Sequence, residues 1–279
     1  MGFNAASGHL AVLDEAFSLP SKTSEIVNKG DVKLDFEGRN AVTIYSIDDV
    51  EEVNYVSNGV NRFGTMNEIS TQTQTFTLSQ DKGATWSIDR RTNSDQMNVA
   101  DAQESIARQA RNVAVPAVDI YRLGVAQAYA VANSQTATAA LTDTNAFEKF
   151  LAQNDAMTEA LVPEEGRVCY MNPTVHSLLK RDPEFVKQCD KSYADLKTGT
   201  IGMVDGVTLK KVPTSYLVSN TGYLFIHEAT MISPTKFQMA RVLTEVQGID
   251  GSVCEYRRYY DAFIPSKKGV SIRAHMIAQ

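Results

Sequence analysis

The spacing of apolar residues along the 279-residue chain changes several times, and each change marks an element. Val42, Ile44 and Tyr45 supply β-formers for a strand over 41–47. The 40 residues before it carry few apolar anchors and read as an arm with one short helix around 10–17. Farther on, Val99, Ala102, Ile106, Ala110, Val113, Ala117 and Ile120 recur in steps of three and four, the spacing of a helix face. Asn93, Ser94 or Asp95 can cap that helix, and Glu104 with Arg108 forms a favourable pair on its outer side. Running from 94 to 132, it would be nearly 60 Å long at about 1.5 Å per residue. Pro116 lacks an amide hydrogen and crowds the preceding turn, which predicts a break or kink there. The narrow, Ala-rich stripe suits a helix lying on a sheet.

A polar linker over 134–144 leads to a second helix starting near Asn145, with Glu148 placed for a capping box. That helix should end before Pro163, and 167–171 reads as a buried strand. Pro173 and Pro183 open two short helices over 174–180 and 184–189. Asp205-Gly206 between short apolar runs predicts a tight hairpin over 203–209. Strands follow over 223–227 and 236–246, and Asp250-Gly251 turns the chain again. A final antiparallel pair is expected from 252–264 and 270–277, joined at Lys267-Lys268-Gly269. The whole is α+β, with no regular alternation of strand and helix to suggest a parallel sheet.

The stretch from 48 to 86 fits neither helix nor core strand. It opens on an acidic cluster (Asp48, Asp49, Glu51 and Glu52) and passes turn residues at Asn58-Gly59 and Gly64. It then enters the strand-like run 72–78, whose one face is Gln and whose other is mostly Thr. A two-stranded ribbon of this kind is marginal alone in water. It is either a polar edge hairpin or an arm that rests on a neighbouring subunit.

Composition narrows the function without naming it. At 43% hydrophobic and 22% charged the chain is an ordinary globular protein, long enough for one large domain or two modest ones. No apolar run approaches the length of a membrane span. Residues 1–19 lack the basic start and apolar core of a secretory signal, so a cytoplasmic protein is expected. Cys169, Cys189 and Cys254 are far apart and odd in number, which favours buried small hydrophobes over a disulfide or metal framework. A net charge of −6 argues against tight, sequence-independent nucleic-acid binding but not against a wall that merely encloses DNA.

Catalytic patterns are missing. His9, His176, His227 and His275 are isolated, and none stands four residues from another. The chain has no nucleophile elbow, phosphate loop or dinucleotide fingerprint. Gly199-Thr200-Ile201-Gly202 comes nearest, but it precedes a hairpin where a phosphate site needs a helix. Adjacent acids such as Glu164-Glu165 or Asp48-Asp49 sit in polar loops, where they are solvated. Arg257 and Arg258, as strand neighbours, point to opposite faces and cannot make one patch. No enzyme, cofactor or metal site is expected.

Four phrases, in this order, carry a family resemblance. They are Trp86-Ser87-Ile88-Asp89 before the long helix, and Val115-Pro116-Ala117-Val118-Asp119-Ile120-Tyr121-Arg122 within it. Then come Gly199 to Val207 followed by Val212-Pro213, and Tyr259-Tyr260-Asp261-Ala262-Phe263 with Lys267-Lys268-Gly269-Val270. Over nearly its whole length the chain resembles tailed-bacteriophage major capsid proteins of the Hong Kong 97 type. The resemblance implies an N-terminal arm (1–40), an extended β-hairpin loop with flanking strands (41–93), and a spine helix with peripheral-domain segments (94–141). It further implies an axial domain (142–240) and returning peripheral-domain strands (241–279) discontinuous with 94–141.

The function so implied is self-assembly into pentamers and hexamers that close an icosahedral head around double-stranded DNA. The DNA would be enclosed without specific binding, in a virion assembled in the host cytoplasm. Asp48, Asp49, Glu51, Glu52, Arg62, Phe63, Arg90 and Arg91 are the residues expected at subunit interfaces. Some family members cross-link a loop lysine to a neighbour's asparagine; here no lysine lies between Lys33 and Lys82, so no such link is expected. The arm is too short for a built-in scaffold and lacks heptads, which implies a separate scaffolding protein besides the portal. The competing readings are an encapsulin-like compartment of the same fold and a monomeric phage binding module.

Overall fold

The computed structural model describes residues 20–27, 35–37, 41–66, 68–95, 101–188, 202–244 and 246–278. The short helix expected at 10–17, Val99 and Cys189 lie outside these residues. The chain divides into two units: residues 31–79, and residues 1–30 together with 80–279.

The smaller unit is built on three antiparallel strands, β1 (Asp35–Glu37), β2 (Ala41–Ile47) and β3 (Thr71–Thr77), with β2 in the middle. Ala41 pairs with Thr77 and Ile47 with Thr71. Val42, Thr43 and Ile44 are buried, whereas β3 carries Thr and Gln with every residue exposed or half-exposed. Between β2 and β3 lies the long irregular segment 48–70.

In the larger unit, β4 (Gln80–Asp89) runs into a short helix, α1 (Arg90–Asp95). Asp89 caps it by accepting from the Thr92 amide at 2.9 Å. A fresh helix, α2 (Ala102–Gln109), starts after Asp101, whose carboxylate accepts from the amides of Gln103 and Glu104. Asn93 thus lies inside α1 instead of capping the long helix. The helix expected to start at 94 begins at 102, because Asp101 holds an extended backbone with φ −87° and ψ 134°.

The expected break at Pro116 takes a different form. Residues Ala110–Ala114 form a π-turn, closed by the Val115 amide on the Ala110 carbonyl, and α3 (Val115–Ala132) continues from it. Pro116 falls in the first turn of α3, and the wider turn before it accommodates the missing amide without ending the helix. Along the π-turn and α3 the buried apolar face is Ala114, Val118, Leu123, Ala126 and Ala130, while Val113 and Ile120 of the expected stripe stay 52% and 41% exposed.

Two further helices, α4 (Ala146–Glu159) and α5 (Pro173–Arg181), flank the strand β6 (Arg167–Met171); α6 (Pro183–Gln188) follows. Asn145 makes no side-chain cap at the start of α4; its Oδ1 accepts from the Thr142 amide at 2.8 Å. Asp182, 35 residues away, accepts from the Phe147 amide at 3.0 Å instead of a capping box with Glu148. The expected hairpin forms from β7 (Met203–Val204) and β8 (Val207–Lys211), with Asp205 and Gly206 at φ 48° and 74°.

Two sheets complete the unit. The first has strand order β10 (Thr235–Leu243), β11 (Gly251–Tyr260), β4, all antiparallel, with α2 packed on it. The Trp86 indole N–H donates to the Ser105 hydroxyl across that contact at 2.8 Å. The second sheet is six-stranded and mixed, in the order β5 (Thr136–Ala139), β12 (Arg273–Ile277), β9 (Thr221–His227), β6, β8, β7. The last two strands of the chain therefore do not pair with each other. β11 joins β4 and β10, while β12 pairs antiparallel with β9 and parallel with β5. Parallel neighbours also occur at β6 and β8, which the lack of strand–helix alternation did not suggest.

Both faces of the six-stranded sheet are covered, so its strands read as apolar runs. On one face Val168, Tyr170, Leu224, Ile226 and Ala274 meet Leu123, Ala126 and Ala130 of α3. On the other, Cys169, Met171, Tyr223 and Phe225 meet Phe147, Phe150 and Met157 of α4 and Val175 and Leu179 of α5.

His275 is fully buried beside Tyr223, its ring stacked at 4.8 Å and 23°. Neither ring nitrogen has a hydrogen-bond partner among the described residues. Burial, and secondarily the charge of Lys149, holds its pKa below the ordinary imidazole value. The folded chain then refuses a proton that the unfolded chain accepts. The stability His275 supports is complete above about pH 6.5 and is lost as the pH falls, by up to about 1.4 kcal/mol per unit. His176, held low by burial and by Lys180 and Lys211, acts in the same direction. Denaturant titrations at pH 7.5 and 5.5 should show His275→Phe losing less stability on acidification than the unchanged protein; an equal loss would refute the assignment.

Candidate functional site

The most unusual surface in the chain is segment 47–69. Val60, Phe63 and Met66 are 95%, 85% and 95% exposed, and Ile47, Val50, Val53, Val56 and Ile69 are all more than half exposed. Scattered surface apolar residues need no explanation, but a run of this density makes the segment a candidate binding surface. The segment is nonetheless ordered by its own contacts. The Val56 amide donates to the Arg62 carbonyl at 3.0 Å, and the Gly64 amide to the Asn61 carbonyl at 3.0 Å. Tyr55 and Phe63 meet edge to face at 5.0 Å. Gly59, Asn61 and Gly64 take positive φ. A Cβ on Gly64 would collide with the Val53 side chain.

The expected interface residues fall into three groups. At the base, Asp48 accepts from Ser70 Oγ at 2.6 Å and Gln72 Nε2 at 2.9 Å, which ties the two sides of the loop together. Asp49, Glu51 and Glu52 point into solvent beside it. Arg62 donates from Nε to the Gly59 carbonyl at 3.3 Å, a bond that shapes the tip where Phe63 stands. Arg90 and Arg91 belong to the other unit, in α1. Arg90 pairs with Asp250 at 3.4 Å and donates its amide to the Asp250 carbonyl.

Sequence reasoning missed the apolar residues that surround Arg62 and Phe63. The signal was present: Ile47, Val50, Val53 and Val56, then Val60, Phe63, Met66 and Ile69, recur every third residue on either side of the Asn58-Gly59 turn. That period matches neither a strand nor a helix, so it registered as turn chemistry.

The larger unit has a second apolar surface. Ala84 of β4, Tyr256 and Tyr260 of β11, and Val113, Ala117 and Ile120 of the helix line a groove of about 400 Å³. Arg258 lines it too, donating to the Ala114 carbonyl at 3.1 Å and lying 4.4 Å from the Tyr260 ring centre. Among the described residues, no group of three His, Cys, Asp or Glu is placed to hold a metal, and no helix is long and apolar enough to cross a membrane.

No protein-family model matches the chain, and no curated protein does. Solved structures do match, end to end. A structure from Mycobacterium phage Che8 superposes with a TM-score of 0.70 at 17% identity, over 98% of this chain and 97% of that one. The capsid structure of cyanophage P-SCSP1u gives 0.75 at 13% identity, over 98% and 93%. The mature capsid of bacteriophage PhiM1 gives 0.68 at 12%, over 100% and 93%. The chain has the fold of phage capsid proteins. Identities this low carry the architecture and not the residues, so the capsid fold accounts for the two units while the loop chemistry is this chain's own.

Loop order rests on Gly64 more than on Gly59, which has positive φ but open space around it. Each alanine substitution costs roughly 1 kcal/mol from the backbone alone. Gly64→Ala adds the collision with Val53 and should be cut markedly faster by protease within 50–66, with the melting temperature of the larger unit unchanged. Equal cleavage of both variants would contradict the packing described.

Proposed function

We propose that the chain is the major capsid protein of a tailed phage, a structural and non-enzymatic subunit of a closed head. The observation that carries this reading is fold agreement with the P-SCSP1u and PhiM1 capsid structures across 98–100% of the chain and 93% of theirs. The resemblance of its phrases to the Hong Kong 97 type supports a finer reading. Segment 48–70 with β2 and β3 is then the extended loop, and the helix from Ala102 to Ala132 is the spine. The six-stranded sheet with α4 and α5 is the axial domain, so that β5 and β12, expected among the peripheral segments 94–141 and 241–279, join it by pairing. β4, β10 and β11 belong to the peripheral domain, although β10 begins within 142–240.

Assembly follows from the exposed surfaces. A subunit that leaves Val60, Phe63 and Met66 in water is stabilised when a second copy covers them, at about 25 cal/mol per Å² of apolar area buried. Asp49, Glu51, Glu52 and Arg62 around them supply charge for choosing the neighbour rather than strength, since exposed pairs contribute little singly. Closure of a ring or shell multiplies these modest contacts. A net charge of −6 suits a wall that encloses DNA without gripping it. A separate scaffolding protein, a portal and residence in the virion complete the proposal.

Light scattering and negative-stain microscopy of the purified chain test it. Closed particles, or rings of five and six, are expected, with no ladder of covalent multimers on denaturing gels. A chain that stays monomeric when scaffold is supplied would overturn the reading.

A further inference from the structure

Asn58-Gly59 is the one Asn-Gly pair in the sequence. Both residues are exposed. Among the described residues, neither the Asn58 side chain nor the Gly59 amide has a hydrogen-bond partner. Nothing lies within 4 Å of the place a Cβ would take on Gly59, whose φ is +106°. A side-chain amide next to an unhindered, unbonded backbone N–H is reactive, because closure between the two makes a five-membered ring. Comparable pairs elsewhere are held. The Asn133 side chain donates to the Tyr129 carbonyl at 2.9 Å, and the amide that follows it, on Ser134, donates to Val131 at 3.3 Å. Asp205, before Gly206, accepts from Asn154 Nδ2 at 2.7 Å. Asp250, before Gly251, pairs with Arg90, and a Cβ on Gly251 would strike the Ile88 carbonyl.

We infer that Asn58 is a site of spontaneous deamidation, with water as the co-reactant and Arg62 as the promoter. The Gly59 amide gives its proton to hydroxide, and the nitrogen bonds to the Asn58 side-chain carbon. The C–N bond of the side-chain amide breaks, and its nitrogen leaves as ammonia after taking a proton from water. Water then opens the cyclic imide. Breaking the ring bond to the side-chain carbon leaves aspartate in an ordinary backbone; breaking the other leaves isoaspartate, with the chain routed through the side chain. In total one water is consumed and one ammonia released, with no change of oxidation state. Arg62 donates from Nε to the Gly59 carbonyl at 3.3 Å, which sets a cation beside the amide that must ionise. A neighbouring positive charge favours the anion.

The chemistry does not depend on the capsid reading; its consequence for assembly rests on that reading. Either product adds a carboxylate to a segment where Asp48, Asp49, Glu51, Glu52 and Glu68 already face a single base, Arg62. Isoaspartate also lengthens the backbone within the turn that the Val56 amide closes on the Arg62 carbonyl at 3.0 Å. The extra atom displaces Val60 and Phe63, the exposed apolar residues on either side of Arg62 and its neighbour Asn61. A subunit that waits unassembled therefore loses the surface it assembles with. Coverage by a second copy holds the turn and slows ring closure, so assembled subunits are spared.

Ageing the dispersed chain in mildly basic buffer, with peptide mapping by mass spectrometry and enzymatic methylation of isoaspartate, tests the site. The peptide holding Asn58 should gain the mass of hydroxyl over amine and become methylatable, many-fold faster than the peptide holding Asn133. Gly59→Ala should slow the conversion many-fold. An Asn58 amide that lasts as long as that of Asn133 would overturn the site. Arg62→Gln should slow conversion several-fold at low ionic strength, and high salt should bring the unchanged chain down to the same rate. Equal rates at low salt would remove Arg62 from the account. Particle yield reads the consequence. The unchanged chain should lose yield in step with conversion, while Gly59→Ala, aged alongside, should keep the yield of its fresh preparation. Converted chain that assembles as well as fresh chain would overturn the consequence and leave the site standing. Fresh protein that never assembles, with scaffold supplied, would overturn the capsid reading and the consequence together, with conversion of Asn58 still read on the dispersed chain.

Discussion

The turn Val118–Arg122 of α3 is the point on which the larger unit depends. Asp119, 1% exposed, accepts from Ser21 Oγ, the Lys22 amide and Thr23 Oγ1, at 2.8, 2.7 and 2.6 Å. Arg122 donates to Thr23 Oγ1 and Ser233 Oγ, and the Tyr121 hydroxyl donates to Asp261 at 2.6 Å. One turn of helix thereby gathers segments 96 to 140 residues away. A buried carboxylate needs such company, because each lost partner leaves a charge unsolvated. With residues 21–23 fixed, Ile26 seats in the core against Leu123 and the sheet. The same helix covers one face of the six-stranded sheet, so the clasp and the core reinforce each other.

Much of this architecture was legible in the sequence. The buried strand at Arg167–Met171, the Asp205-Gly206 hairpin and the two proline-led helices all follow from local rules, and they form where expected. What failed were choices of partner. Alternation identified the last two strands but could not say that one would join β4 and the other β5. Capping from a distance, as Asp182 caps α4, leaves no local signature beside Asn145. The helix start was misplaced because Asp101 caps as well as Asn93 and lies closer to the true first turn.

The candidate site was legible only in part. Acids and turn residues drew attention to 48–69, yet the apolar residues between them form the larger surface. An apolar period of three builds neither the period-two face of a strand nor the 3.6-residue face of an α-helix, so it supplies no core face to either. It gains meaning when the covering surface belongs to another molecule. The groove was invisible for a different reason. It is bounded by β4, β11 and the helix, with paired residues of β4 and β11 lying 162 to 180 positions apart in sequence, and its apolar wall reads as an ordinary helix stripe.

The account therefore treats segment 48–69 as a surface finished only by assembly. Hydrogen exchange on that segment, compared between dispersed subunits and closed particles, tests this most directly. The account predicts slowed exchange across 50–66 in particles alone, with the six-stranded sheet equally protected in both states. Exchange in 50–66 that stays fast in closed particles would contradict it.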